Sequence, residues 1–190
     1  MAWLKEIDDR NLVLVGYRAC GKSSVGERLA QRLGRAFVDL DQVLVGEAGC
    51  SIAELVSREG WEGFRRREKE LVRRYAQQRG LVLAPGGGAV LDPENVRLLK
   101  EGGLVIWLTA APEVIRARLA GDQATASNRP GLLGGDALKE VEMVLKEREP
   151  LYQQAAEMVI DTTGLALEQV VKEVLDRLGE VLSDIVKEGD

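Results

Sequence analysis

The stretch that decides the fold is Leu12-Val-Leu-Val15 followed by Gly16-Tyr-Arg-Ala-Cys-Gly-Lys-Ser23 and then the amphipathic run that opens at Ser24. Four apolar residues, a glycine-bounded loop and a helical pattern stand in that order, and the loop fits G-x-x-x-x-G-K-[ST]. Its glycines let successive backbone N–H groups turn toward one anion, and the next helix adds its positive end. Lys22 is placed to reach outer phosphates and Ser23 to hold Mg²⁺. Cys20 lies inside the loop as a small filler, with no nucleophilic role.

Outward from this unit, short apolar runs alternate with helical patterns, which predicts a parallel sheet covered by helices on both faces, an α/β fold. The other predicted strands are Ala36 to Leu40, Leu81 to Ala84, Leu104 to Leu108 and Met158 to Asp161. Helices are expected from Lys22 to Leu33, stopping at Gly34; from Pro93 after the cap Asp92; from Pro112 to near Leu119; from Ala137 to Glu149, ending against Pro150; and from about Leu167 to Val186. The insertion after the second strand reads as helical, with the capping box Ser51-Ile-Ala-Glu54 and a break at Gly60. Gly121 to Gly135 has four glycines and little periodicity, so it reads as a mobile flap over a site.

Composition narrows the chemistry. The 190 residues carry a net charge of −5 and are 45% apolar, which fits one globular domain and counts against a nucleic-acid surface. No apolar run has the length that spans a bilayer, and no signal peptide is visible. Two cysteines, Cys20 and Cys50, and no histidine leave neither a disulfide framework nor a zinc site, and a reducing cytoplasm is expected. Without histidine, a general base must be a carboxylate, Lys, Tyr or Cys, with aspartate the first candidate.

Asp39 and Asp41 stand two apart at the end of the second strand, so both are expected on one face beside the loop. They supply the two acidic roles of a kinase, one near the metal and one at the attacking hydroxyl; the alternative is that Asp41 caps the next helix while Asp39 is solvated. Gly86, Gly87 and Gly88 follow the third strand at the same edge, where bare main chain can meet a ligand; a loose connecting loop is the alternative. Arg65 lies three residues before Glu68, which can fix its guanidinium for a grip on a carboxylate, against the plain reading of a solvated helix face. Arg148, just before Pro150, stands at the expected end of the helix after the flap, where its plain reading is a favourable charge at a helix C-terminus. Arg129, the only cation in the flap, suits delivery of charge to a transferring phosphoryl group, against the plain reading of a surface-loop arginine without a role.

With these residues in place, the chain resembles the shikimate kinases over roughly residues 11 to 175. The resemblance is carried by Gly-x-x-x-x-Gly-Lys-Ser at 16 to 23, Asp-Leu-Asp-Gln at 39 to 42, Gly-Phe-Arg-Arg-Arg-Glu at 63 to 68, Gly-Gly-Gly-Ala-Val at 86 to 90, Asn-Arg-Pro at 128 to 130 and Arg-Glu-Pro-Leu-Tyr at 148 to 152. It implies a three-layer α/β/α P-loop kinase fold with a five-stranded parallel sheet of order 2-3-1-4-5. The implied parts of this one domain are a helical substrate-binding region at about 41–76, a lid at about 121–135 and a C-terminal helix. The implied activity is transfer of the γ-phosphoryl of ATP, with Mg²⁺, to the 3-hydroxyl of shikimate, in the route to chorismate and the aromatic amino acids. Shikimate and ATP are the implied partners, and a monomer the implied state.

By the same resemblance, Gly16, Ala19, Cys20, Gly21, Lys22, Ser23 and Ser24 bind the nucleotide, Arg118 lies against adenine, and Ser23 and Asp39 serve the metal. Asp41, Arg65, Gly86 to Gly88 and Arg148 bind shikimate, Glu68 braces the arginines, and the catalytic set is Asp41, Lys22 and the lid arginine Arg129. Three features depart from the family pattern. Gly131 separates Arg129-Pro130 from the two leucines, the loop Asp161 to Leu165 has no basic residue, and Cys20 stands where Gly, Ala or Ser is usual.

Overall fold

The computed structural model describes residues 9–121 and 137–188. Five parallel strands, β1 (Asn11–Val15), β2 (Ala36–Asp39), β3 (Leu81–Ala84), β4 (Gly103–Thr109) and β5 (Met158–Asp161), form one sheet in the order β2-β3-β1-β4-β5. The order is the one the resemblance implied. β1 is buried along its whole length because both faces are covered. Leu12 and Leu14 join one core with Val25, Leu29, Val171 and Val174, while Val13 and Val15 join another with Phe64, Leu71 and Leu99. Each such side chain, fully buried, stabilises by about 1.5–3 kcal/mol. Asn11 fixes the start of the central strands, donating to the Gln78 carbonyl at 2.8 Å and accepting from the Leu81 N–H at 2.9 Å.

α1 spans Lys22–Leu33, as the sequence predicts. β2 stops one residue before the predicted end, because Asp39 caps α2 (Leu40–Ala48): its carboxylate accepts from the N–H groups of Asp41 at 3.0 Å and Gln42 at 3.3 Å. A side-chain acceptor at this position satisfies N–H groups that have no partner within the helix. Asp41 therefore sits in a helical turn and does not alternate along a strand with Asp39, and the capping residue is Asp39, not Asp41. α3 (Ile52–Ala76) starts in the expected capping box and is broken at Gly60, whose φ of 71° and ψ of 175° are not helical.

α4 (Pro93–Gly102) begins at its Asp92 cap, and α5 covers Pro112–Gly121. α6 (Ala137–Ala155) does not end at Pro150 but runs through it. A proline inside a helix costs about 3 kcal/mol. Against that, Tyr152 is buried and stacks on Trp107 with ring centroids 5.8 Å apart, and burial and stacking of such a ring contribute about 2–4 kcal/mol. The two are comparable, so packing offsets the proline, and Arg148 lies within the helix and not at its C-terminus. α7 (Leu167–Glu188) closes the fold. Among the described residues, no helix is long and apolar enough to cross a membrane. The predicted flap, apart from Gly121, and with it Arg129, lies outside the described residues.

Candidate active site

The glycine-bounded loop leaves the end of β1 at the carboxyl edge of the sheet. Gly16, at φ 142°, is pressed against β4, and a Cβ there would lie 2.3 Å from the Leu108 carbonyl oxygen. Ala19 and Gly21 also have positive φ, 60° and 101°, which curls the loop before α1. Lys22 folds back over it, donating from Nζ to the carbonyls of Gly16 at 2.9 Å and Tyr17 at 3.0 Å. Ser23 donates from Oγ to Asp39 Oδ2 at 2.6 Å. A cleft runs over Lys22, Ser23, Ser24 and Asp39 to Arg118 and the Asp161 to Leu165 loop. Arg118 ties the two loops together at that far end, bonding Ala19 O at 3.2 Å and Thr162 at 3.0 Å.

A second cleft adjoins the first, sharing Arg18 and Asp41 with it. Asp41, Arg65, Glu68, Gly86 to Gly88 and Arg148 all line it, so the residues predicted for an acceptor come together although they derive from four separate segments. Arg65 donates from Nη1 to Glu68 Oε2 at 2.6 Å, and its guanidinium lies 5.6 Å from the Trp61 ring and 5.1 Å from the Phe64 ring. On the opposite wall, Tyr152 and Arg148 both donate to the Gly87 carbonyl, at 2.5 and 3.3 Å. Burial pushes the Tyr152 phenol far above its ordinary range, so it acts as a neutral donor.

Glu68 is 3% exposed, and burial raises its pKa against the opposing pull of Arg65, with the Asp41 charge adding to the rise. Glu68 Oε1, Arg148 Nε and Tyr17 Oη are buried with no hydrogen-bond partner. All three belong to residues that line this cleft. An unsatisfied buried polar group costs about 1–3 kcal/mol, so a polar ligand is favoured there.

The glycine triplet has a different first use from the expected one. A Cβ on Gly86 would lie 2.6 Å from Glu68 Oε1 and 2.8 Å from Asp41 Oδ1, and one on Gly88 would lie 2.2 Å from Arg65 Nη2. The missing side chains make room for the charged groups of the site as much as for a ligand.

Both clefts are lined by Asp41 and by Arg18, which is 8% exposed. Sequence reasoning gave Arg18 no role, because the loop motif leaves that position unspecified. Tyr17, Trp61 and Tyr152 were passed over too; only the nearness of Trp61 to Arg65 along one helix signalled any of them.

A model of the shikimate kinase family matches residues 18–179. The chain belongs to the shikimate kinase family. The shikimate kinase of Syntrophus aciditrophicus (strain SB) is 43% identical over 169 residues, covering 85% of this chain and 87% of that protein. The shikimate kinase of Symbiobacterium thermophilum is 46% identical over 152 residues, 80% and 86% of the two chains. Among solved structures, shikimate kinase from Acinetobacter baumannii in complex with shikimate is similar at a TM-score of 0.85 and 33% identity, over 95% of this chain and 98% of that one.

Proposed function

We propose that the protein transfers the γ-phosphoryl of ATP to the 3-hydroxyl of shikimate, giving shikimate 3-phosphate and ADP. The observation that carries this is the meeting of two clefts at Asp41, one over a phosphate loop and the other walled by Arg65 and Arg148. The first cleft takes the nucleotide, with Gly16 to Ser24 around its phosphates and Arg118 toward adenine. The second takes the acceptor, its carboxylate on Arg65 and Arg148 and its hydroxyls toward Asp41 and the glycine triplet. Asp41 orients the attacking hydroxyl, Glu68 holds Arg65 in place, and Arg129 is assigned to the lid by the family resemblance.

Mg²⁺ fits the same reading. The Ser23 hydroxyl and Asp39 carboxylate are hard oxygen donors already in contact, and no group of three or more acidic, cysteine or histidine side chains that could hold a metal occurs among the described residues. Magnesium suits a site with one or two protein oxygens and phosphate oxygens for the rest, where it neutralises phosphate charge. A cytoplasmic monomer acting on these two small molecules completes the reading; the free Cys20 and Cys50 support a reducing compartment.

The test is ADP release by the full chain with Mg²⁺ and ATP, with shikimate, gluconate or a nucleoside monophosphate as acceptor. Shikimate alone is expected to drive turnover. Preference for either of the others would replace this reading.

A further inference from the structure

We infer that Arg18 contacts the transferring phosphoryl group as the fixed cation between donor and acceptor, an inference that rests on the phosphoryl-transfer reading above. Arg18 is the one described basic residue that lines both clefts. The others stand to one side or the other. Lys22 is held on the Gly16 and Tyr17 carbonyls, and Arg118 on Ala19 and Thr162 at the far end of the nucleotide cleft. Arg65 is paired with Glu68 and Arg148 bonded to Gly87, both in the acceptor cleft.

At the shared boundary two negative groups must approach each other. Asp41 brings a carboxylate to the acceptor hydroxyl, and the γ-phosphoryl arrives from the opposite side. In a partly buried place their repulsion is weakly screened, and a permanent positive charge between them offsets it. Arginine suits this position because its guanidinium keeps its proton at all working pH values and offers a planar fork to two phosphoryl oxygens. The Tyr17 ring beside it, 5.7 Å from the guanidinium carbon to the ring centroid, limits its freedom.

In the step itself, the bond from the acceptor oxygen to phosphorus forms as the bond from γ-phosphorus to the bridging oxygen breaks. The electron pair of the broken bond leaves with ADP, and the hydroxyl proton passes by way of Asp41 to water. Arg18 donates hydrogen bonds to the equatorial oxygens, where charge is spread in a loose transition state, and transfers no proton.

Two full-length variants test this, Arg18→Met, which keeps length and removes charge, and Arg18→Lys. The assay is steady-state phosphorylation of shikimate, with ADP binding and shikimate-induced change in tryptophan emission as checks of the site, since Trp61 lines the acceptor cleft. For Arg18→Met, kcat is expected to fall by about 10²–10³-fold, as when one transition-state donor is removed. KM for shikimate and for ATP should stay within about threefold, and Arg18→Lys should recover part of kcat. A kcat within about threefold of wild type, or a loss confined to KM for shikimate, overturns the inference; if Arg18→Met does not fold, Arg18→Lys is judged by the same split. A wild-type chain that binds ADP but never phosphorylates shikimate would instead fail the underlying reading.

Discussion

Ser23 and Asp39 are joined by a 2.6 Å hydrogen bond that ties the first turn of α1 to the end of β2. The other oxygen of Asp39 is occupied by the N–H groups that open α2, so one carboxylate serves a helix cap and the hydroxyl proposed to hold Mg²⁺ together. Asp39→Ala should therefore raise the Mg²⁺ concentration for half-maximal activity by about 10–100-fold, the range found when support for a metal ligand is lost. The same variant loses about 1 kcal/mol of stability with the cap. Titration of activity with Mg²⁺, beside a denaturation curve, checks both; an unchanged Mg²⁺ requirement removes Asp39 from the metal site.

Gly88 lies against the Arg65 guanidinium, and its φ of −104° is open to any residue. Alanine there should displace a flexible side-chain end and not the backbone. Gly88→Ala is expected to raise KM for shikimate by about tenfold, with ADP affinity and folding nearly unchanged. An unaltered shikimate KM would show that Arg65 does not hold the acceptor.

Glu68 keeps its proton to higher pH in the folded protein than the ordinary value of 4.5, because burial outweighs the attraction of Arg65. Above 4.5 the unfolded chain has released this proton while the folded state still holds it. Stability from this group is thus greatest below the unfolded value and declines as pH rises through the folded one. Glu68→Gln has no such titration. Urea denaturation of both proteins from about pH 4 to about pH 7 should show wild type losing stability relative to Glu68→Gln as pH rises. A gap that stays flat or moves the other way would contradict the burial account.

Asp41 lines both clefts, while the cleft proposed for the nucleotide is otherwise lined largely by the loop and the start of α1. Asp41→Asn should lower kcat by about 10²-fold or more, the usual worth of a positioned group at the reacting hydroxyl. ADP binding, measured by calorimetry, should persist. Wild-type turnover in this variant would remove Asp41 from the reaction.

The strand, loop and helix from Leu12 to Leu33 were legible because each part has a local signal: an apolar run, a fixed motif and a glycine stop. Strand order came with the family resemblance, since periodicity does not say which strands are neighbours. Asp39 and Asp41 were found but misplaced, because a helix cap and the end of a strand can use the same residue, and only the N–H groups of Asp41 and Gln42 decide between them. Pro150 reads as a stop in sequence, while burial of Tyr152 two residues later carries the helix through it. Arg18 was invisible for another reason: its meaning comes from lying between two clefts built by segments far apart in the chain.

The central claim is most directly tested by phosphorus NMR of the protein with Mg²⁺, ATP and shikimate. The γ-phosphate signal should give way to a phosphate monoester coupled to the proton on carbon 3 of shikimate, with ADP formed in equal amount. Unchanged shikimate beside ATP that is intact, or hydrolysed only to free phosphate, would contradict it.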